Sequence, residues 1–563
     1  MSEQGRPLVA GLAGAAATIA VVTVASRVVG FGRTLAQAAA IGPTALGDAY
    51  NAANTLPNVL FEVAAGGALA GAVVPLLATA LTRGMRADVD RIASALLGWM
   101  LAVLVPLAVV VALAARPLVG FFLDDPSPEQ LDAAAGFLAV FAPQMPLYGL
   151  GVVLTGVLQA HHRFLWPAVA PLVSSLVVVG VYLSFGAMTP SADLAAVPGT
   201  ALAWLAWGTT AGVAAMTVPL LWPVHRLGVR LRPALRFPEG IASRARPLAV
   251  AGVGALLAQQ AAVAVALRQA NAYGTDGTFT VFNFSQAVYL LPYAVLAVPV
   301  ATTTFPRLAE RAAHHDRIGF ARLTSATTRV LLIVSAAGAA TLLAVSPAVE
   351  QAFAALRPGA DFSGMAVGLA WTAPGLLGFA LILHLSRALY ALDRGRAAVI
   401  ATVTGWTTVI AVALVAVPLL TGGAPDRTAT LQGLGLATSL GMTVGGAALL
   451  AAVVRTAGRE AAAGVLRTAA VLLVAGAVAA VVGRRVADAV LSAAGTGLGG
   501  AVLAGVVGAL GAVALVALAA AAADRDAVLA AVRSRRAGGS PSVDGSAATD
   551  GVPATASTEG DDG

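Results

Sequence analysis

The chain contains no cysteine and no lysine, so all 34 of its basic residues are arginine. Without cysteine there is neither a disulfide nor a thiolate-held metal. Without lysine there is no Walker A phosphate loop, and HExxH and GxSxG are missing as well. The sequence therefore offers no enzyme constellation and no resident cofactor. Charge of any sign is scarce: 11% of the 563 residues are charged, against roughly a quarter in a soluble domain.

What is present is apolar: 58% of the chain is hydrophobic. An all-α polytopic membrane protein is expected. The net charge of +7 would suggest nucleic acid in a soluble protein. Here it reflects arginine retained on one side of a bilayer. At about 20 apolar residues per span, fourteen segments emerge: 10–41, 45–80, 92–115, 130–159, 165–187, 198–224, 245–271, 278–305, 324–348, 364–391, 397–420, 429–454, 464–483 and 494–522. The first is read as a retained helix, since its apolar run is longer than the ~7–15 residues of a leader. Alternate loops carry 24 arginines on the side of the N-terminus and 5 on the other, with 5 more inside segments. This split predicts a cell-membrane protein with both termini cytoplasmic.

Two short matches recur at one offset of 231 residues: VVPLLATAL (73–81) with TFPRLAERA (304–312), and LQAHHRF (158–164) with LYALDRG (389–395). They predict two six-helix lobes repeated in parallel, 1–230 and 231–456, followed by two extra helices within 457–523. Pro57 and Pro292 are 235 apart, so the first copy is expected to hold one extra helical turn. Beyond 524 the composition turns small, polar and acidic, and 537–563 reads as a disordered cytoplasmic tail.

Four groups of residues stand out. SRVVGFGRT (26–34) places Arg27 and Arg33 within an apolar run that continues to Ile41. Either they snorkel at the surface or they lie inside, and the interior reading is preferred. They are about 120° apart on an ideal helix, so sharing a face requires a bend at Gly30 and Gly32. In the second segment Asp48, Asn51, Thr55, Asn58 and Glu62 fall on one stripe about 80° wide. Such a stripe cannot face lipid. It faces a watery cavity or forms an ion-pair network with Arg27 and Arg33, and the cavity is preferred because intramembrane ionisable groups mark function. Pro57 and Pro292 are candidate hinges. Asn283 and Gln286, at i and i+3, are expected to line the same cavity, whereas Arg268 and Arg387 are read as snorkelling. The glycine clusters GMTVGG and GTGLGG indicate close helix packing, and FLDDPSPEQ (122–130) a helix start.

SRVVGFGRT, DAYNAANTLPN and GGALAGAVVPLL resemble the opening of the MurJ/MviN family, the lipid II flippases of the MOP exporter superfamily. The likeness continues in RFLWPAVAPLVSSLVVV, SQAVYLLPYAVLAVPVATTTFPRLAE and LSRALYALDRGRAAV. The resemblance implies a two-lobed, V-shaped, MATE-like bundle working by alternating access. Its cargo would be undecaprenyl-pyrophosphate-linked disaccharide pentapeptide, carried from the inner to the outer leaflet. It also places Arg27, Arg33 and Asp48 at the family's cavity positions, with the arginines meeting pyrophosphate; charge compensation of the empty cavity is expected from Asp48 and Glu62. The pattern departs at Phe61, Glu62, Gly66 and Ala287, where relatives carry other charges, which implies a less positive cavity. Coupling to membrane potential or an ion, and contacts with wall-synthesis proteins, are further expectations. The alternatives are an exporter of another polyprenyl-linked glycan or of drugs and cations on the same fold, and a non-transporting scaffold for wall synthesis.

Overall fold

The computed structural model describes residues 5–66, 70–82, 85–189, 194–236, 241–495 and 497–523; the proposed tail lies outside them. Every regular element among the described residues is helical. The first half contains α1 (Gly5–Ala40), α2 (Ala45–Phe61), α3 (Ala70–Thr82), α4 (Arg86–Leu113), α5 (Ala115–Phe122), α6 (Pro128–Phe141), α7 (Gln144–Ala160), α8 (Leu165–Met188), α9 (Gly199–Thr217) and α10 (Leu221–Arg226). The second contains α11 (Ile241–Tyr273), α12 (Thr278–Pro292), α13 (Val298–Ala313), α14 (Arg317–Leu356), α15 (Met365–Thr372), α16 (Gly375–Ala391), α17 (Gly395–Thr421) and α18 (Arg427–Ala457). Two further helices close the order, α19 (Val465–Ala494) and α20 (Leu498–Ala523).

Among the described residues ten helical stretches are long and apolar enough to cross a membrane, and the α15–α16 pair, bent by 46°, makes eleven. These coincide with eleven of the fourteen expected segments. The other three fall on α1, on α2 with α3, and on α11, each of which includes side chains outside the described set. Side chains such as Leu473, Val474, Leu510 and Leu518 are left exposed on α19 and α20. In a bilayer that is the side presented to acyl chains.

The repeat seen in the sequence recurs in the helix breaks. A π-helical turn interrupts the second span of each half, at Glu62–Gly66 and Tyr293–Ala297. A proline break separates α6 from α7 and α15 from α16, with Pro143 and Pro374 at the helix starts. Both features keep one offset, since 293 − 62 and 375 − 144 each equal 231. The extra turn expected from the proline spacing is absent. α2 has 17 residues and α12 has 15, and Pro57 and Pro292 simply sit at different distances ahead of the same π turn.

Aromatic and glycine contacts both pack the bundle. In the first half, Tyr50 is buried edge-on against Phe137 and Phe141, with 5.6 Å between centroids. Its hydroxyl is satisfied by Tyr182 and Thr209, each at 2.9 Å, as a buried phenol requires. In the second half, glycines let backbones touch. A Cβ on Gly405 would meet Gly441 O and Gly445 Cα at 3.0 Å, and one on Gly446 would meet Gly378 Cα at 3.0 Å. GMTVGG is thus a packing motif between α16, α17 and α18. GTGLGG is not: Gly499 faces open space and Gly500 faces its own preceding turn. FLDDPSPEQ starts α6 as expected, with the Ser127 hydroxyl accepting from Gln130 N.

Candidate functional site

α1 is helical without a break through Gly30 and Gly32, and a Cβ at either would meet open space. Arg27 and Arg33 both line one cavity of about 530 Å³, together with Ser26, Ser174, Ser175 and Ala287. Its walls are the middle of α1, the start of α8 and the end of α12. Arg27 and Arg33, about 120° apart on an ideal helix, both border it. Both are exposed, and neither has an ion-pair partner among the described residues. Arg33 lies within electrostatic reach of Tyr50, Tyr148 and Tyr182, while Arg27 and Arg387 act on Tyr293.

The stripe on α2 does something else. Asp48 is 2% exposed and meets no arginine. Its carboxylate accepts from Gly277 N at 2.7 Å, Thr280 N at 2.9 Å and Thr280 Oγ1 at 2.8 Å. These are the free N–H groups at the start of α12, where a helix presents positive charge. Asn51, also buried, accepts from Gln37 Nε2 at 2.9 Å and donates to Thr280 Oγ1 at 3.0 Å. The ion-pair network with Arg27 and Arg33 is thus replaced by a latch joining α1 and α2 to α12. Further along, Thr55 and Asn58 turn back to the carbonyls of Asn51 and Asn54. Glu62 is half-buried at the π turn, with no ion-pair partner among the described residues. One stripe therefore has three settings along its length, and its first turn is the part hydrogen-bonded to α12.

The corner around the latch is tightly closed. Gly277 has φ +86°, a left-handed conformation that favours glycine, and a Cβ there would lie 2.3 Å from the Pro43 backbone. The Arg357 guanidinium donates to the carbonyls of Ala39 and Ala40 at the end of α1. Arg427, buried at the start of α18, donates to the carbonyls of Asp361 and Asp276 and pairs with the Asp361 carboxylate at 2.8 Å. Desolvation would raise the pKa of Asp361, but hydrogen bonds from Ser363 and the Arg427 charge outweigh it and hold the carboxyl below its usual value. Arg268 pairs with Asp124 at 2.7 Å on this same, arginine-poor side, away from the cavity.

Asn283 and Gln286 do not join the arginines. They line a second cavity of about 290 Å³ among α11, α12, α16, α17 and α18. Leu290 borders both cavities, so α12 is the wall between them. Gln37, Thr280, Gly277, Ser174 and Ser175 were not singled out by the sequence. Gln37 is one helical turn from Arg33, the only clue that it shares a face with the cavity. No cluster of His, Asp or Glu suited to a metal occurs among the described residues.

The comparisons agree with this architecture. A probable lipid II flippase MurJ from Rhizobium tropici is 30% identical over 298 residues, 52% of this chain and 54% of that protein. The chain thus spans about half the length of this curated relative. A solved lipid II flippase MurJ in an inward closed conformation shares the fold at TM-score 0.68 and 16% identity, over 89% of this chain and 98% of that one. An inward-facing multidrug resistance transporter of the MATE family and MOP superfamily gives TM-score 0.63 at 14% identity, over 78% and 98%. Residues 37–498, most of the sequence, match the family described as Lipid II flippase MurJ, and the chain belongs to that family.

Proposed function

We propose that this protein is a lipid II flippase, moving the diphosphate-linked disaccharide pentapeptide of peptidoglycan synthesis between leaflets by alternating access. The observation that carries the reading is a cavity holding two exposed arginines, Arg27 and Arg33, with no ion-pair partner among the described residues. A diphosphate supplies the missing countercharge through charge-assisted, bidentate contacts. The neutral lining at Ala287 leaves the anion to these two side chains. The function of the Rhizobium tropici relative and the family match support the same cargo.

The arrangement also suggests the state. The latch at Asp48 joins the halves 1–230 and 231–456, which we take as the two lobes, on the arginine-poor side. If the arginine-rich loops are cytoplasmic, both termini are cytoplasmic and the latched state is closed to the outside. Opening breaks the hydrogen bonds of Asp48 to α12, exposing a carboxylate and a helix N-terminus to water instead of leaving them buried. Moving uncompensated charge through the cavity couples transport to membrane potential at about 2.3 kcal/mol per charge per 100 mV.

The test is depletion of the native flippase, complementation with Arg27→Ala or Arg33→Ala, and a leaflet-specific assay of lipid II. Both variants are expected to accumulate in the membrane and leave lipid II on the inner leaflet. Normal outer-leaflet lipid II in both would remove the arginines from the mechanism.

A further inference from the structure

The second cavity has an unusual lining for the interior of a membrane protein. It is uncharged, yet Gln259, Asn283, Gln286 and the Trp406 indole all border it with no hydrogen bond to another described residue. The Tyr289 hydroxyl adds to them: the residue is 3% exposed and its oxygen is buried with no partner. Buried polar groups are nearly always satisfied, and the Tyr289 oxygen left without a partner costs about 1–3 kcal/mol; the other four groups are half-buried and border the cavity. Around them are aromatic faces. Tyr289 lies 6.4 Å from Phe379, and Phe279 stacks on Phe282 at 6.3 Å. Amides facing inward beside aromatic rings form a site for a neutral guest with hydroxyl and amide groups on its rim and C–H groups on its face.

We infer that this cavity receives the N-acetylated sugar attached to the diphosphate of the transported lipid. The inference rests on the flippase reading above and adds where the headgroup is recognised. Three observations select this guest. The lining carries no charge, so neither diphosphate nor carboxylate belongs there. At about 290 Å³ the cavity lies at the small end of ligand sites, with room for one sugar ring and its acetamido group but not the whole headgroup. Its position is adjacent to the arginines: Leu290 lines both cavities, and Ala287, next to Gln286, faces the arginine side. A sugar bonded directly to a diphosphate held on α1 lies against α12, the wall that the two cavities share at Leu290. The amides and indole then discriminate cargo. A site built to hydrogen-bond an acetamido group rejects a lipid lacking it, because its own polar groups stay unpaired.

The experiment measures binding of three lipids to the full-length protein in nanodiscs: undecaprenyl diphosphate, the same lipid bearing one N-acetylhexosamine, and its de-N-acetylated counterpart. The wild type is expected to favour the N-acetylated lipid over the bare diphosphate by about tenfold or more, each tenfold corresponding to about 1.4 kcal/mol. Asn283→Leu, Gln286→Leu and Trp406→Ala are each expected to bring that ratio towards one. Arg27→Ala is expected to weaken all three lipids alike and leave the ratio intact. Should a leucine variant not accumulate, Gln286→Glu keeps the size and loses the amide donor, and is expected to lower the same ratio. An unchanged ratio in the Asn283 and Gln286 variants, with arginine-dependent diphosphate binding retained, overturns this inference alone. Diphosphate binding that is indifferent to Arg27 and Arg33 overturns the flippase reading on which it stands. A wild type that binds the de-N-acetylated and N-acetylated lipids equally moves recognition away from the acetamido group and also contradicts the proposal.

Discussion

The two ends of one stretch of α1 handle polarity in opposite ways. At Gln37–Ala40, side chain and carbonyls are sealed into hydrogen bonds with α2 and with Arg357. About one turn before Gln37, Arg33, and about three turns before it, Arg27, stand in a cavity with no ion-pair partner among the described residues. A membrane interior tolerates polar groups only when they are satisfied by protein or face a cavity, and this helix uses each solution within a few turns. On the proposed reading, closure and cargo binding are separate jobs of this helix. The carboxylate expected to neutralise the arginines is spent on α12, which leaves the arginines for an external anion.

The largest expected effect comes from removing the open end. Replacing both Arg27 and Arg33 with alanine should abolish complementation by a protein that still accumulates, since a diphosphate then has no cation in the cavity. Growth at the wild-type rate would show that the comparison has been drawn in the wrong place. Next comes the sealed end. Asp48→Ala strips the acceptor from Gly277 N, Thr280 N and Thr280 Oγ1, each bond to a charged group being worth about 1.5–3 kcal/mol. A shift of about 3 kcal/mol towards the unlatched state changes its population by about 150-fold. Hydrogen exchange at the α12 N-terminus should rise accordingly, and an unchanged rate would show that the latch contributes little.

Gly277→Ala strikes the same seal from the backbone. It places a methyl group 2.3 Å from Pro43 and forces alanine to a left-handed φ, at a cost of about 1–2 kcal/mol before the clash. It should loosen the corner without removing a polar group, so a phenotype weaker than that of Asp48→Ala but of the same kind is expected. The smallest effect belongs to Arg268→Ala. Its pair with Asp124 is partly exposed, and such pairs contribute about 0–1 kcal/mol. Thermal stability and transport should stay near wild type; a large loss would mean that Arg268 also serves the cavity.

Much of this was legible in the residues, for reasons that also explain the rest. Eleven of the fourteen expected spans recur among the described residues, and the 231-residue offset recurs in the helix breaks, because hydropathy and repeat spacing are one-dimensional. The stripe Asp48–Asn51–Thr55–Asn58–Glu62 was legible as a face that avoids lipid. Its partner was not, because a helix N-terminus offers backbone N–H groups whose position depends on the fold. Nothing in TDGTFT (275–280) marks Thr280 as the residue that meets Asp48. Likewise Asn283 and Gln286 are visibly polar, but periodicity does not say which side of α12 faces the arginines. That depended on the packing of α11, α15 and α18 against it.

The central claim is that one cavity opens to one side while the Asp48 latch shuts the other. The absence of cysteine makes Thr34→Cys, on the cavity wall, a single addressable probe. A membrane-impermeant thiol reagent applied to cells and to inside-out vesicles is the direct measurement. The expected result is labelling from the cytoplasmic side alone with Asp48 intact, and from both sides once Asp48→Ala is added. Equal labelling from both sides before that change, or the same one-sided pattern after it, would contradict the account.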